Sequence, residues 1–266
     1  MARPDLIGVS TTDWVTTLEL RRPDALNALD EAMTLELEGL LTHLEHDDAT
    51  RVIVLTGQGR GFCAGADVDA MAAAAGEDPA PAQMRQQMRR ASARLARTLY
   101  QTEKPIVAAV NGAAAGAGAA IAVGADVTIM ADTAVLSFLF IDRGLVPDYG
   151  STWLLPRLVG LRTARRLCLF GDKLRADEAL RLGLIDGVVP HAELLDEAYG
   201  VATRLASGAG VALRLTKRLL AESFDVDHAT AVDREFTAQA LCFASDDARE
   251  GMRAFLQKRP PAFGWR

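Results

Sequence analysis

The chain has 266 residues and a formal net charge of -6; half of its residues are hydrophobic but only 6% are aromatic, because 47 are alanine and 22 are glycine. That length buries a sizeable core, and dense apolar periodicity with 24% charged residues excludes a disordered chain. No lysine/arginine block stands against the acidic balance, so no nucleic-acid partner is expected; Cys63, Cys168 and Cys242 are too scattered for a disulfide framework or a zinc site.

Met1 to Trp14 lacks a continuous apolar run, so no secretory leader is expected and the chain reads as cytoplasmic. Trp14 to Leu20 alternates and is rich in Val and Thr, a strand pattern broken by Arg21-Arg22-Pro23-Asp24. Asp30 is placed to cap a helix carrying Met33, Leu37, Leu40, Leu41 and Leu44 at helical spacing. Arg51 to Gly57 reads as a buried strand that ends in the turn glycines Gly57, Gly59 and Gly61. Ala72 to Ala82, rich in Ala, Gly and Pro, is expected as a mobile stretch at the border of a ligand pocket, before a helix from about Gln83 to Thr102.

Pro105 to Ala125 carries no charge and is long enough to span a bilayer. Ten of its residues are Ala and four are Gly, with Asn111 near the start, so its transfer gain is small and no membrane span is expected. It divides instead into a buried strand from Pro105, the Asn111-Gly112 turn and a small-residue helix, with a further strand from Asp126 to Met130. Repeated strand, glycine turn and helix give an α/β fold with parallel pairing. Strand signals stop near His191. Leu194 to Ser207, Val211 to Ser223, His228 to Ala244 and Asp246 to Gln257 read as helices, so the chain divides into a core over 1–190 and a helical subdomain over 191–266.

Three segments are candidates for chemistry. Arg60-Gly61-Phe62-Cys63-Ala64-Gly65-Ala66-Asp67 follows a strand, and small residues there let a backbone approach a ligand and leave N–H groups for it; a plain turn explains the segment equally well. Asn111 to Ala120 again leads from strand through glycines to helix, where free N–H groups suit a developing negative charge. Gly112, Gly116 and Gly118 do not make a G-x-G-x-x-G dinucleotide fingerprint. The third segment, Asp142 to Ser151, holds Asp148 in a Pro/Gly loop before a helix, as a helix-terminal acid or as a proton shuttle. Cys63 is set aside as a nucleophile. The four histidines, His43, His46, His191 and His228, fall on surface helices or their edges and offer it no partner.

In this order and at these separations the segments resemble the enoyl-CoA hydratase/isomerase, or crotonase, superfamily. The likeness runs from Arg22-Pro23-Asp24-Ala25-Leu26-Asn27-Ala28-Leu29 through Phe62 to Asp67, Lys104 to Gly112, Leu145-Val146-Pro147 and Leu155 to Gly160. It continues through Ala176 to Ala179 and Gly183-Leu184-Ile185 and closes on Phe255 to Arg259. The resemblance implies a spiral of ββα units with a C-terminal helical trimerisation region, a homotrimer or dimer of trimers, and a coenzyme A thioester as substrate, with no resident cofactor or metal. It implies an oxyanion hole made by the amides of Ala66 and Ala117, with Ala25, Leu26, Ala64, Asp67, Val68 and Phe140 around the coenzyme A ester.

The same likeness places Ala120 and Phe140 where hydratases of the superfamily carry two glutamates, and neither side chain transfers a proton. The Pro147-Asp148 loop resembles that of the ring-1,2-epoxyphenylacetyl-CoA isomerases and related Δ3,Δ2-enoyl-CoA isomerases. An acyl-CoA double-bond isomerase in fatty-acid or aromatic-acid catabolism is therefore expected, with Asp148 as its base and acid and with Phe138, Leu139 and Phe140 as the apolar lining that raises the Asp148 pKa. The alternatives are a hydratase or other lyase working through Asp148 alone, and a catalytically silent acyl-CoA binder.

Overall fold

Val52-Ile53-Val54-Leu55 and Ile106-Val107-Ala108-Ala109-Val110 are buried along their whole length, which places these strands inside a parallel sheet covered on both faces. In the computed structural model, which describes residues 5–75 and 80–265, they are β3 (Val52–Gly57) and β5 (Ile106–Val110). Around them lie β1 (Ile7–Thr12), β2 (Val15–Leu20), β7 (Val127–Ala131) and β10 (Gly187–Val189) in a six-stranded sheet of order β1-β2-β3-β5-β7-β10. All neighbours are parallel except β1 and β2, a hairpin whose two turn residues, Asp13 and Trp14, both have positive φ. The sequence reading missed β1, because Ser10-Thr11-Thr12 on an edge strand carries little apolar signal.

Three of these strands, β3, β5 and β7, each hand the chain to a short strand of a second sheet. β4 (Gly61–Cys63), β6 (Ala113–Ala115) and β8 (Val135–Ser137) pair in parallel, with β9 (Lys173–Arg175) antiparallel at the edge. Long strand, short strand and helix thus repeat as a spiral. The turns between the sheets are tight enough to demand glycine. A Cβ on Gly112 would lie 2.1 Å from the Arg60 carbonyl oxygen, and one on Gly57 would lie 2.4 Å from that of Gly61. Two buried asparagines tie the β3–β4 turn. Asn27 Nδ2 donates to the carbonyls of Gln58 and Gly61, Asn111 Nδ2 donates to that of Gly59, and Asn111 Oδ1 accepts from Gly57 N.

The Asp30 cap is observed, its carboxylate accepting from Met33 N at 2.8 Å to start α1 (Glu31–Glu45). The expected mobile stretch is corrected: α2 (Val68–Ala75) takes in Ala72 and the residues after it, and α3 (Pro81–Arg90) begins at the proline, whose fixed φ suits a first helical position. Residues 76–79 of that stretch lie outside the described residues. The single helix expected to Thr102 is two, because Ala91 (φ -116°, ψ -79°) separates α3 from α4 (Ser92–Gln101).

Further along come α5 (Ala117–Val123), α6 (Ser151–Phe170, interrupted at Gly160) and α7 (Ala176–Leu182). Four C-terminal helices follow: α8 (Leu194–Ala206), α9 (Gly210–Glu222), α10 (His228–Ala244) and α11 (Asp246–Gln257). α8 buries Leu194, Ala198, Ala202 and Ala206 against β3, β5 and β7, a stripe whose small residues let the helix lie close to the sheet. Among the described residues no helix is long and apolar enough to cross a membrane.

Candidate active site

The β4 strand delivers the chain to Ala64-Gly65-Ala66, a loop laid beside Leu29. Leu29 N donates to the Gly65 carbonyl at 2.7 Å, and Asp67 N donates to the Leu29 carbonyl at 2.9 Å. In a parallel bridge of this kind the middle residue turns its own N–H outward. Ala66 N accordingly has no hydrogen-bond acceptor among the described residues. Ala64 N donates to the Leu26 carbonyl, so Ala25 and Leu26 stand next to the same loop. Arg22 fixes the loop's far side. Its guanidinium lies 2.8 Å from one Asp67 oxygen and 3.7 Å from Asp30, while the other Asp67 oxygen accepts from Ala70 N in the first turn of α2. The Arg22 hydrogen bond is the main cause holding the Asp67 carboxyl below the usual carboxylate range. Val68, the first residue of α2, is exposed.

A second turn meets this one. Gly116 (φ 53°, ψ -120°) swings the chain from β6 into α5 and leaves Ala117 as the first helical residue, whose N–H has no partner within the helix or among the other described residues. The two turns touch. A Cβ on Gly65 would lie 2.6 Å from the Ala115 carbonyl and 3.3 Å from Ala117 N, and one on Gly118 would lie 2.0 Å from the Cys63 carbonyl. The two free amides therefore belong to neighbouring turns, and their small residues are what allow that approach. Phe140 is buried beside Gly116, next to the second turn. Cys63 is fully buried beneath both turns, and burial pushes its thiol up to about 12, which suits packing and not nucleophilic attack.

One turn further along α5, Ala120 opens onto a cavity of about 520 Å³ that also contains Asp148. Its walls are Ser92, Ala93, Ala96, Leu99 and Tyr100 of α4, Ile121 of α5, and Tyr149, Trp153 and Leu154 at the start of α6. These residues, and not Phe138, Leu139 and Phe140, surround the acid, which corrects the expected apolar lining. The 139–143 segment winds as a 3-10 turn and brings the Phe140 ring beside Gly116. Tyr149 and Gly150, both at positive φ, bend the chain so that the Asp148 carbonyl receives Ser151 N and Oγ. The carboxylate is thereby freed from capping duty. Its Oδ1 is buried without a hydrogen-bond partner among the described residues, and desolvation raises the pKa from an ordinary 3.8 to about 6.

The outer wall was not foreseen. Tyr100 meets Trp153 edge-on at 4.8 Å and donates to the Ala221 carbonyl, Arg157 stacks 3.8 Å above Trp153, and Asp225 pairs with Arg157 at 3.4 Å. The turn between α9 and α10 thus closes one end of the cavity. The visible signal was the Ala93, Ala96 and Tyr100 face of α4, three to four residues apart, but nothing local marked it as cavity and not core. Among the described residues no cluster of His, Cys, Asp or Glu has the makings of a metal site.

Residues 10–266 match the family model described as enoyl-CoA hydratase/isomerase. The chain belongs to that family, and its α/β spiral with C-terminal helices is the crotonase fold. It is 42% identical over 252 residues to the 1,2-epoxyphenylacetyl-CoA isomerase of Escherichia coli (strain K12), covering 94% of each chain. It is also 36% identical over 250 residues to the crotonyl-CoA hydratase of Syntrophomonas wolfei, again over 94% of each. A solved enoyl-CoA hydratase/isomerase from Cupriavidus metallidurans CH34 superposes with a TM-score of 0.92 at 32% identity, covering 99% of this chain and 97% of the other. Both isomerases and hydratases thus stand among its relatives, and acyl-CoA chemistry is common to them.

Proposed function

We propose that the protein is an acyl-CoA double-bond isomerase with Asp148 as its general base and acid. The observation that carries this reading is the buried, unpartnered Oδ1 of Asp148 in a cavity where Ala120 supplies no second acid. The other carboxylate of that cavity, Asp225, is engaged by Arg157. Water addition across a double bond calls for one group to activate the water and another to deliver a proton, whereas a 1,3-proton shift needs one base only. In that shift Asp148 takes a proton from C2 of a 3-enoyl thioester. The electron pair moves through a dienolate, and the same carboxyl returns the proton at C4 to give the 2-enoyl thioester.

The amides of Ala66 and Ala117 hold the enolate oxygen in this reading, and a carboxylate poised near neutrality is suited to give and take a proton. Ala25, Leu26, Ala64, Asp67, Val68 and Phe140 border the coenzyme A ester. The C-terminal region serves self-association as a homotrimer or dimer of trimers. Phe236, Phe255 and Leu256 are each at least 71% exposed in the single chain, an apolar surface that solution scattering will find covered by other copies.

The test pairs two assays. Asp148→Asn lowers conversion of a 3-enoyl-CoA to the 2-enoyl-CoA about a thousandfold, and the wild-type enzyme hydrates crotonyl-CoA poorly. A full isomerisation rate in the variant, or brisk hydration by the wild type, overturns the assignment.

A further inference from the structure

We infer that the acyl group carries a free carboxylate at its far end and that Arg97 is the residue that selects it; the substrate class is then a coenzyme A monothioester of a dicarboxylic acid. The inference rests on the cavity being the acyl site.

Two recesses meet at Arg97. It borders the cavity that holds Asp148, and it also borders a groove of about 840 Å³ between α1 and the α3–α4 pair. That groove gathers Arg85, Arg89, Arg90, Arg94 and Arg97 opposite a single acid, Glu31, in a chain whose overall charge is -6. The local sign is the reverse of the molecule's. Arginines of both α3 and α4 reach this one groove, with Arg90, Arg94 and Arg97 spaced as one helical face across the junction at Ala91. Arg94 is committed, with both Glu38 oxygens 2.9 Å from its guanidinium. Arg85, Arg89, Arg90 and Arg97 have no ion-pair partner among the described residues.

Arg97 differs from the other three in facing the reaction cavity. That cavity's apolar wall runs along α4 past Ala96, Ala93 and Tyr100, so an acyl chain entering beside Asp148 and Ala120 is covered by carbon until it reaches the α4 arginine. The charged groups elsewhere on the cavity are accounted for: Asp225 by Arg157, and Asp148 by the proton transfer assigned to it. Arg97 is the remaining cation, and it is exposed, so a carboxylate meeting it loses little hydration while gaining a forked pair of charge-assisted hydrogen bonds. The arginines behind it add a favourable potential without contact. A neutral acyl chain of the same length gains none of this.

The test uses adipyl-CoA, hexanoyl-CoA and free coenzyme A with the wild-type protein and Arg97→Met, by titration calorimetry. The wild type binds adipyl-CoA about threefold more tightly than hexanoyl-CoA, the strength of one solvent-exposed ion pair. In Arg97→Met that ratio falls to about one, while hexanoyl-CoA and free coenzyme A bind as before. Arg97→Lys keeps part of the preference. Three results overturn the inference: a wild-type ratio of one, a preference that survives in Arg97→Met, or equal weakening of all three ligands, which would assign the groove to the coenzyme A phosphates. Exchange of the C2 protons of bound hexanoyl-CoA with deuterated water is followed in parallel. A lost preference with no exchange in the wild type leaves the carboxylate site standing and removes the isomerase reading. Exchange without any preference does the opposite.

Discussion

The two sides of the candidate site are built in opposite ways. The amide side is all backbone: two turns pressed together until a Cβ on Gly65 or Gly118 would meet the other turn's backbone or Cys63, with Arg22 and Asp67 paired at the edge. The acid side is one side chain on a loop with exposed neighbours such as Val146, its Oδ1 buried without a hydrogen-bond partner among the described residues. Backbone donors depend on where the chain goes and not on which residue is there, so alanines at 66 and 117 cost nothing as donors. A proton shuttle depends on the side chain itself. Substitution therefore damages the two sides differently, one through folding and the other through chemistry.

The largest expected effect is on the acid side. Asp148→Asn lowers isomerisation about a thousandfold, within the range usual for loss of a general acid–base, with the fold unchanged by circular dichroism. In the wild type kcat/KM falls about tenfold for each pH unit below about 6, because the base must be ionised to remove the first proton. A profile flat down to pH 4.5 would show that another group takes that proton.

On the amide side the same magnitude of damage arrives through stability. Gly118→Ala drives a methyl to within 2.0 Å of the Cys63 carbonyl and costs about 3 kcal/mol or more, read as a large fall in melting temperature. Gly150→Ala is the matched control in the acid loop. Gly150 has positive φ, 79°, whereas Gly118 is helical, and a Cβ on Gly150 would meet nothing within 4 Å, so the substitution costs only a backbone strain of about 1 kcal/mol. Equal destabilisation by the two substitutions would mean that the acid loop is packed as tightly as the amide turns.

The same contrast explains how much of the molecule its sequence discloses. The buried strands, the Asp30 cap and the last two helices follow from local pattern, and α10 and α11 fall on the residues expected. The two amide turns are legible because glycine and alanine crowd where a strand ends. Asp148 is legible as a residue in a loop, but not its surroundings. Its walls come from α4, 50 residues upstream, and from the α9–α10 turn, 70 or more residues downstream. No local signal separates the Ala96 and Tyr100 face of α4 from an ordinary core face, and adjacency in sequence suggested Phe138 to Phe140 instead. The 3-10 turn sends those residues elsewhere. The break at Ala91 is equally silent, since alanine favours a continuous helix and nothing local marks the change of direction.

The two acids of the site give the most discriminating test, because their pH dependences have opposite signs. Asp148 is raised from 3.8 to about 6 by desolvation, so the folded protein holds that proton more tightly than the unfolded chain. Its stability contribution is complete below pH 4 and is lost as pH rises through 6, a swing of about 2 to 3 kcal/mol. Asp148→Asn does not ionise; relative to wild type it gains stability between pH 4 and 7, and the gain is absent at pH 3.5. Asp67 is lowered, first by its hydrogen bond to Arg22, so its contribution is present above about pH 4 and lost as pH falls below that. Asp67→Asn therefore destabilises at pH 7, by under about 1 kcal/mol because the pair is partly solvated, and the effect shrinks as pH falls below about 4. Denaturation midpoints at three pH values separate the cases. Curves for both variants that shift in the same direction with pH would show that Asp148 has a partner after all, and the lone carboxylate at the centre of the acid side would be gone.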